Sequence, residues 1–341
     1  MRASVVEGVG AGKRAGARTC CAILKTTMAF FLGIDGGGSK TECVLADESG
    51  AVLARATGPG SNLHRVDSDQ LWGTVRDCLA QLRRSTGLGV IAPVAVGAGF
   101  AGASDSEARE MARRALVKCL HPARLYVVGD MEVALEAAVG AGRGVVLIAG
   151  TGSIAYGRND LGRQARAGGR GINVARRGKF IVDEGSGLDI GLRATRAVVN
   201  PLLFWRRWTP LGRRVKKVFQ GASGEGGVVV FVEAAGLVPL VVEAARENDA
   251  RARRILEGAA DALAGLAVEV LRQLDLLEAD VRVAASGGVF KESPEVFARV
   301  QAEILKAAPR ARVEPLAVSP AEGAARLAQR LWLQEQTTAS A

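Results

Sequence analysis

One device limits the fold of this chain more than any other. An apolar run stops at an aspartate, three glycines follow, and a second apolar run begins: FFLGIDGGGSKTECVLA, from Phe30 to Ala46. The connection GGGSK is too short for a crossover, so the two runs must be antiparallel neighbours, and the equally short ESG at 48–50 adds a third strand to a meander. Gly36, Gly37 and Gly38 carry no Cβ and tolerate φ > 0, so the backbone N–H groups of such a turn can close on a polyanion. Asp35 would repel a bare phosphate chain, which makes sense if hydrated Mg²⁺ sits between the two. At this point a glycine-rich hairpin with no ligand remains the alternative.

With 341 residues the chain has length for two domains, and 48% hydrophobic with 23% charged residues marks it as globular. No apolar run approaches the roughly 20 residues that span a bilayer, so a soluble protein with no membrane partner is expected. The five cysteines (Cys20, Cys21, Cys43, Cys78, Cys119) show neither C-x-x-C spacing nor a disulfide framework, which fits a reducing, cytoplasmic compartment. The net charge of +10 raises the question of nucleic acid. Residues Arg158 to Lys217 alone hold 15 Lys and Arg against 4 Asp and Glu. The imbalance is therefore local, it has little aromatic interleaving, and no helix-turn-helix or zinc pattern accompanies it, so no nucleic-acid partner is expected.

Residues 1–27 have neither helical nor strand period and read as a disordered or non-native extension; GVGAGKR within them lacks the spacing and the preceding strand of a phosphate loop. From Phe30 the order is strand, strand, strand, helix (67–84), strand (93–98), helix (105–119), strand (125–129) and helix (131–139), the pattern of a mixed sheet covered by helices. Gly144 to Ala149 opens a second unit, in which GTGS at 150–153 leads to another strand, so the glycine-turn device occurs twice. Long helices are expected over 228–246 and 249–274. A strand at 281–285, an SGG turn, a helix at 293–308, a strand at 311–316 and a helix at 321–334 close the chain. GAGFAG at 97–102 is a literal G-x-G-x-x-G, which taken alone points to a nicotinamide oxidoreductase, although a three-strand meander precedes it.

The ordered set GIDGGGSKT (33–41), GSNLHR (60–65), GFAGA (99–103), VVGD (127–130), LIAGTGSIAYG (147–157), RAGG (166–169), DEGSG (183–187), SGGVF (286–290) and AEGAARLA (321–328) resembles the acetate kinase, sugar kinase, Hsp70 and actin superfamily. Within it the set is most similar to the BadF/BadG/BcrA/BcrD ATPase family, which includes N-acetylglucosamine kinase. The resemblance implies an α/β, two-lobed, ribonuclease H-like (actin-like ATPase) fold, each lobe a mixed sheet with flanking helices. The lobes would be residues 28–143 with 317–341, and 144–316. It implies ATP and Mg²⁺ as cofactors and an amino sugar as the small-molecule partner, and it leaves a homodimer open. By resemblance, Asp35 is the metal-water ligand, Gly37, Gly38, Ser39 and Thr41 form the first phosphate turn, and Gly150, Thr151, Gly152 and Ser153 the second. Gly287 and Gly288 would meet the adenosine. Asn62, Gly169 and Asp183 would contact the sugar, and His64 is a turn residue. Asp130, at a strand end that also suits an N-cap, would accept the proton of the attacking hydroxyl.

Two departures stand out. Gly169-Arg170-Gly171 is followed by INVARRGKFIV before Asp183, and 200–227 shows no family pattern and little amphipathic order. A rival within the family, the ATPase activator of a 2-hydroxyacyl-CoA dehydratase or benzoyl-CoA reductase system, needs cysteines at a subunit interface for an iron–sulfur cluster. Cys43, Cys78 and Cys119 fall in first-lobe elements instead.

Overall fold

Phe31–Gly36 forms β1 and Lys40–Ala46 forms β2, antiparallel, with Asp35 opposite Glu42; β3 (Val52–Pro59) completes the meander. The structure, a computed structural model, describes residues 29–171, 173–175, 179–204, 208–221 and 234–340. The N-terminal extension, with GVGAGKR, Cys20 and Cys21, lies outside the described residues.

β4 (Ala95–Phe100) and β5 (Arg124–Gly129) run parallel to β1 and give the sheet order β3-β2-β1-β4-β5. The crossovers are α1 (Ser68–Thr86) and α2 (Ser106–Leu120). Asp67 starts α1 by accepting the N–H groups of Asp69 and Gln70, while Gln70 returns a bond to the Asp67 N–H, and Gly87 at φ 70° ends it. Leu71, Val75, Cys78, Leu79 and Leu82 form the buried stripe of α1, as their helical spacing requires. β1 and β4 carry helices on both faces, which is why their sequences read as continuous apolar runs.

The literal G-x-G-x-x-G does not form the strand-to-helix turn that a nicotinamide site needs. Gly97 and Gly99 lie inside β4. An ideal Cβ at Gly97 would stand 2.1 Å from the Ala324 carbonyl oxygen, and one at Gly99 2.3 Å from Val133 Cγ2. These glycines let two helices lie close on the sheet: α3 (Asp130–Val139), and α10 (Pro320–Ser340), which ends the chain. The oxidoreductase reading is thereby withdrawn.

The second sheet has the order β12-β11-β6-β7-β8. β6 (Gly144–Ala149), β7 (Ser153–Arg158) and β8 (Gln164–Gly168) form a meander, and β11 (Arg282–Ser286) runs parallel to β6 and to β12 (Arg312–Pro315). The glycine-turn meander of the first sheet is thus repeated. A small hairpin, β9 (Asn173–Ala175) with β10 (Lys179–Ile181), occupies the insertion before Asp183. Around the sheet run α4 (Gly187–Phe204), α5 (Pro210–Gly221), α6 (Val238–Arg246), α7 (Ala250–Gln273), the short α8 (Gly288–Glu292) and α9 (Pro294–Ala307).

Two expectations are corrected here. The single helix over 228–246 is instead a 3-10 turn at Ala234–Leu237 followed by α6, with Pro239 in its first turn where a missing N–H costs nothing; residues 228–233 lie outside the described residues. The region 200–227 holds more order than its sequence suggests. Leu211 and Val215 of α5 are buried, and the Leu211 N–H donates to Asp249 Oδ2 at 2.9 Å; residues 205–207 and 222–227 lie outside the described set.

α10 lies across β1, β2 and β4, with Trp332 edge-to-face on Phe31 at 5.7 Å between centroids. It also grips α3 through Arg330 and the buried Glu136, whose two oxygens each accept a bond at 2.8 Å. α3 packs in turn on β6 and β7, so it is the element shared by the two halves. The molecule is therefore two mixed five-stranded sheets with flanking helices, in a two-lobed actin-like arrangement. No helix among the described residues is long and apolar enough to cross a membrane.

Candidate functional site

The parallel strands β1, β4 and β5 end in register at Gly36, Phe100 and Gly129. Asp35, one residue before the end of β1, and Asp130, the first residue of α3, therefore share the carboxyl edge of the sheet, where open α/β sheets place ligands. Burial, and then the charge of Asp130, push the Asp35 carboxyl up to about 7; Glu42 adds to this and Lys40 opposes it. Burial also holds Asp130 above the usual carboxylate range, with Glu132 adding, although its Oδ1 accepts the Met131 N–H at 3.0 Å. Two half-buried carboxyls, both held above their usual range, mark a site short of positive charge. Among the described residues no cluster of three or more Asp, Glu, His or Cys could cage a metal. One carboxylate acting through bound water is the arrangement that Mg²⁺ accepts, so the residues fit that ion.

The turn beside Asp35 is held from below. Gly37 N–H donates to Lys40 O, Ser61 N–H donates to Gly37 O, and an ideal Cβ on Gly60 would stand 2.5 Å from Gly38 O. The N–H groups of Gly38 and Ser39 have no partner among the described residues, and a Cβ on Gly38 would meet nothing nearer than 3.9 Å. These are the free donors and open space that an anion-binding turn needs. Thr41, expected to touch phosphate, is fully buried: its hydroxyl donates to Pro59 O at 2.6 Å and lies 2.7 Å from Ser61 Oγ. It anchors the 59–61 loop under the turn.

That loop carries Asn62 to the same edge. Leu63 N–H donates to Ala101 O, and Ala101 N–H to Gly36 O. Asn62 Oδ1 accepts the His64 N–H at 3.0 Å, while its amide nitrogen has no partner among the described residues. His64 packs against Gly102, whose φ of 92° shapes the exit from β4, as a turn residue does.

At the second sheet the GTGS turn is tied down by its carbonyls. Gly187 N–H donates to Gly150 O at 2.8 Å and Leu188 N–H to Thr151 O at 3.4 Å, so the start of α4 supports the turn. The N–H groups of Thr151 and Gly152 have no partner among the described residues, and a Cβ on Gly150 would meet only open space. Ser153 differs from expectation as Thr41 does. It is buried and its hydroxyl donates to Glu184 O at 2.6 Å, so it fastens the DEGSG segment to the turn. Gly287, at φ 116°, lets the SGG turn press on the end of β6, since a Cβ there would stand 2.2 Å from Ala149 O; beside Gly288 the space is open.

Asp183 and Gly169 meet beside the GTGS turn. Asp183 is 8% exposed, and its oxygens accept the Arg170 N–H at 2.7 Å and the Gly171 N–H at 3.1 Å. A Cβ on Gly152 would stand 3.0 Å from Asp183 Oδ2. Burial holds this carboxyl above its usual range while the backbone donors oppose it. The carboxylate, expected to hold a sugar hydroxyl, is thus committed to the 170–171 backbone. Gly169, at φ 67°, donates its N–H to Ser153 O at 2.8 Å.

The structure unites Asp35, Gly37, Gly38, Ser39, Asn62 and Asp130 on the first sheet edge. It gathers Gly150–Ser153, Gly169, Asp183, Gly287 and Gly288 at the second. Sequence reasoning missed Glu42, which is 9% exposed and raises Asp35, and Glu132, whose Oε1 accepts the Gly129 N–H at 3.0 Å. Glu132 sits three residues past the N-cap, Gly129, the capping-box position, and that spacing is the signal that marks it. Cys43 and Cys78 are buried side by side in the first-lobe core, and Cys119 lies on α2.

A sequence profile described as the BadF/BadG/BcrA/BcrD ATPase family matches residues 32–328. An N-acetylmuramic acid/N-acetylglucosamine kinase of Clostridium acetobutylicum is 29% identical over 269 residues, 77% of this chain and 86% of that protein. An N-acetyl-D-glucosamine kinase of Dictyostelium discoideum is 29% identical over 317 residues, 88% of this chain and 97% of that protein. The crystal structure of a candidate N-acetylglucosamine kinase from Chromobacterium violaceum superposes with a TM-score of 0.69 at 25% identity, covering 88% of this chain and 99% of that one.

Proposed function

The chain belongs to the BadF/BadG/BcrA/BcrD ATPase family, and on that premise we propose that it is an ATP-dependent amino-sugar kinase acting on N-acetylglucosamine. The observation that carries the reading is the shared strand edge: Asp130 beside Asp35, next to a glycine turn whose Gly38 and Ser39 N–H groups are unspent. The two relatives, matched over most of their length, are kinases of this substrate class.

The lobes are residues 28–143 with 317–341, and 144–316, and ATP lies between them. The Gly38 and Ser39 donors hold one side of the phosphate chain and the Thr151 and Gly152 donors the other. Mg²⁺, held through water by Asp35, supplies charge neutralisation at the phosphates when bound. The open backbone at Gly288 is where adenosine rests.

Asn62 presents its amide nitrogen to a sugar hydroxyl. Gly169 shapes the pocket wall, and Asp183 acts on it indirectly by fixing the backbone at 170–171. Asp130 orients the acceptor hydroxyl and takes its proton as the oxygen bonds to the γ-phosphorus and the bond to the β-phosphate oxygen breaks. A carboxyl raised by burial is a better base than a solvated one. Closure of the lobes excludes water, so transfer outpaces hydrolysis. Among the described residues Cys43, Cys78 and Cys119 are free thiols, which suits a cytoplasmic enzyme.

Asp130→Asn tests the assignment. Sugar phosphorylation should fall by roughly 10²-fold or more while ATP-Mg affinity, read by isothermal titration, stays within a few-fold. A variant with near-normal turnover would remove Asp130 from the mechanism.

A further inference from the structure

α3 has a second face. Glu132, Leu135 and Glu136, spaced i, i+3, i+4, line a cavity of about 540 Å³ that contains neither Asp35 nor Asp130. It opens between β5 and α2 of the first sheet's layer and β7 and β8 of the second, with α10 closing one side. That volume lies within the roughly 300–1,000 Å³ of small-molecule sites. The floor is apolar, built by Val127, Leu135, Leu327 and Leu331.

The polar groups around that floor are unequally satisfied. Tyr156 is 6% exposed, lines the cavity, and its hydroxyl has no hydrogen-bond partner among the described residues. Burial pushes that phenol up to about 12, with Glu132 adding, so it is a donor at any physiological pH. The ring is buried while the hydroxyl faces the cavity with its donor uncommitted, so it is ready to bond a guest there. Arg109, exposed on α2, has neither an ion pair nor a side-chain hydrogen bond among the described residues. Arg158 donates to the carbonyls of Gly140 and Gly142 and pairs with no carboxylate among the described residues. The lining acids are more fully engaged. Glu110 pairs with Arg113, Glu136 pairs with Arg330, and Glu132 keeps one oxygen on the Gly129 N–H. Two arginines without an ion pair among the described residues, Arg109 and Arg158, against one partly engaged carboxylate favour a guest with a single negative charge.

We propose that this cavity is a binding site for a small organic monoanion with an apolar body, its acidic group taken by Arg109 and the Tyr156 hydroxyl and its body laid on the leucine floor. The guest touches both sheet layers and the helix that begins with Asp130, so it bridges the lobes from the side away from the phosphate turns.

The test uses 8-anilinonaphthalene-1-sulfonate as the fluorescent probe, titrated into the full chain, with benzoate as competitor. One saturable site per chain, displaced by benzoate, is expected. Tyr156→Phe and Arg109→Ala should each weaken it about tenfold, the worth of a hydrogen bond to a charged group. Saturating ATP-Mg should leave the affinity within about twofold. Arg109 is exposed, so its replacement does not threaten folding, and an unchanged thermal midpoint checks this for both variants. Absence of a saturable site, wild-type affinity in both variants, or displacement of the probe by ATP-Mg would each overturn the proposal.

Discussion

Arg330→Met cuts the tie between α10 and α3, and its cost follows from the geometry. Glu136 and Arg330 form a fork with both bonds at 2.8 Å; the carboxylate side chain is 5% exposed and the guanidinium 28%. The hydrogen bonds to Glu136 hold the Arg330 guanidinium above its usual range. With about 4 Å between charge centres and an effective dielectric of about 20, the attraction is about 4 kcal/mol, most of which repays desolvation. Removing the arginine strands a carboxylate that water hardly reaches, so Arg330→Met should lose about 3–5 kcal/mol of stability. Glu136→Gln leaves a guanidinium that can turn to solvent, and it should lose only about 1–2 kcal/mol. The double variant Glu136→Met/Arg330→Met removes both charges and keeps much of the packing, so it should stand within about 1 kcal/mol of wild type. Urea unfolding at pH 7.5 with a constant m-value reads all three. Strictly additive losses, or a loss below 1 kcal/mol for Arg330→Met, would refute the claim that the pair is a coupled buried tie.

Asp35 ties stability to pH. Its folded pKa, about 7, lies above the unfolded value, so the folded state binds the proton more tightly; the Asp35 contribution to stability is fully present below about pH 4 and is lost as pH rises to 7, by at most about 4 kcal/mol. Asp35→Asn should therefore stabilise the ligand-free protein at pH 8 by several times its effect at pH 5, and equal urea-midpoint shifts at the two pH values would contradict this. In an ordinary strand Gly97→Ala would stabilise by a few tenths of a kcal/mol or more. Here the new Cβ meets the Ala324 carbonyl at 2.1 Å, so a loss of about 2–3 kcal/mol is expected, and a neutral result would mean that α10 moves freely on the sheet.

Much of this was legible because it rests on local rules. The antiparallel pairing of β1 with β2 and of β6 with β7 follows from connections too short for anything else. Helix starts at Asp67, Asp105 and Asp249 follow from side chains that cap the next turn. What was hidden depends on partners far along the chain. Gly97 and Gly99 of GAGFAG serve packing that only α10 and α3 laid on the sheet reveal, and a motif cannot announce that. The hydroxyls of Thr41 and Ser153 match phosphate-turn residues by type, yet Pro59, Ser61 and Glu184 consume them. Asp183 likewise lies in an acidic motif, but the backbone at Arg170 and Gly171, a dozen residues upstream, takes its carboxylate. α5 was unreadable in an arginine-rich stretch because its few apolar residues bury against α4, α6 and the Asp249 cap, which the local sequence does not contain.

The central claim is that the paired strand edges transfer phosphate from ATP to an amino sugar. Coupled measurement of ADP release across a panel of amino sugars, with the products weighed by mass spectrometry, tests it most directly. The expected result is ADP formation that depends on N-acetylglucosamine, saturates with it, and yields one sugar monophosphate per ADP. ADP formation indifferent to every sugar, with free phosphate as the only other product, would contradict the account.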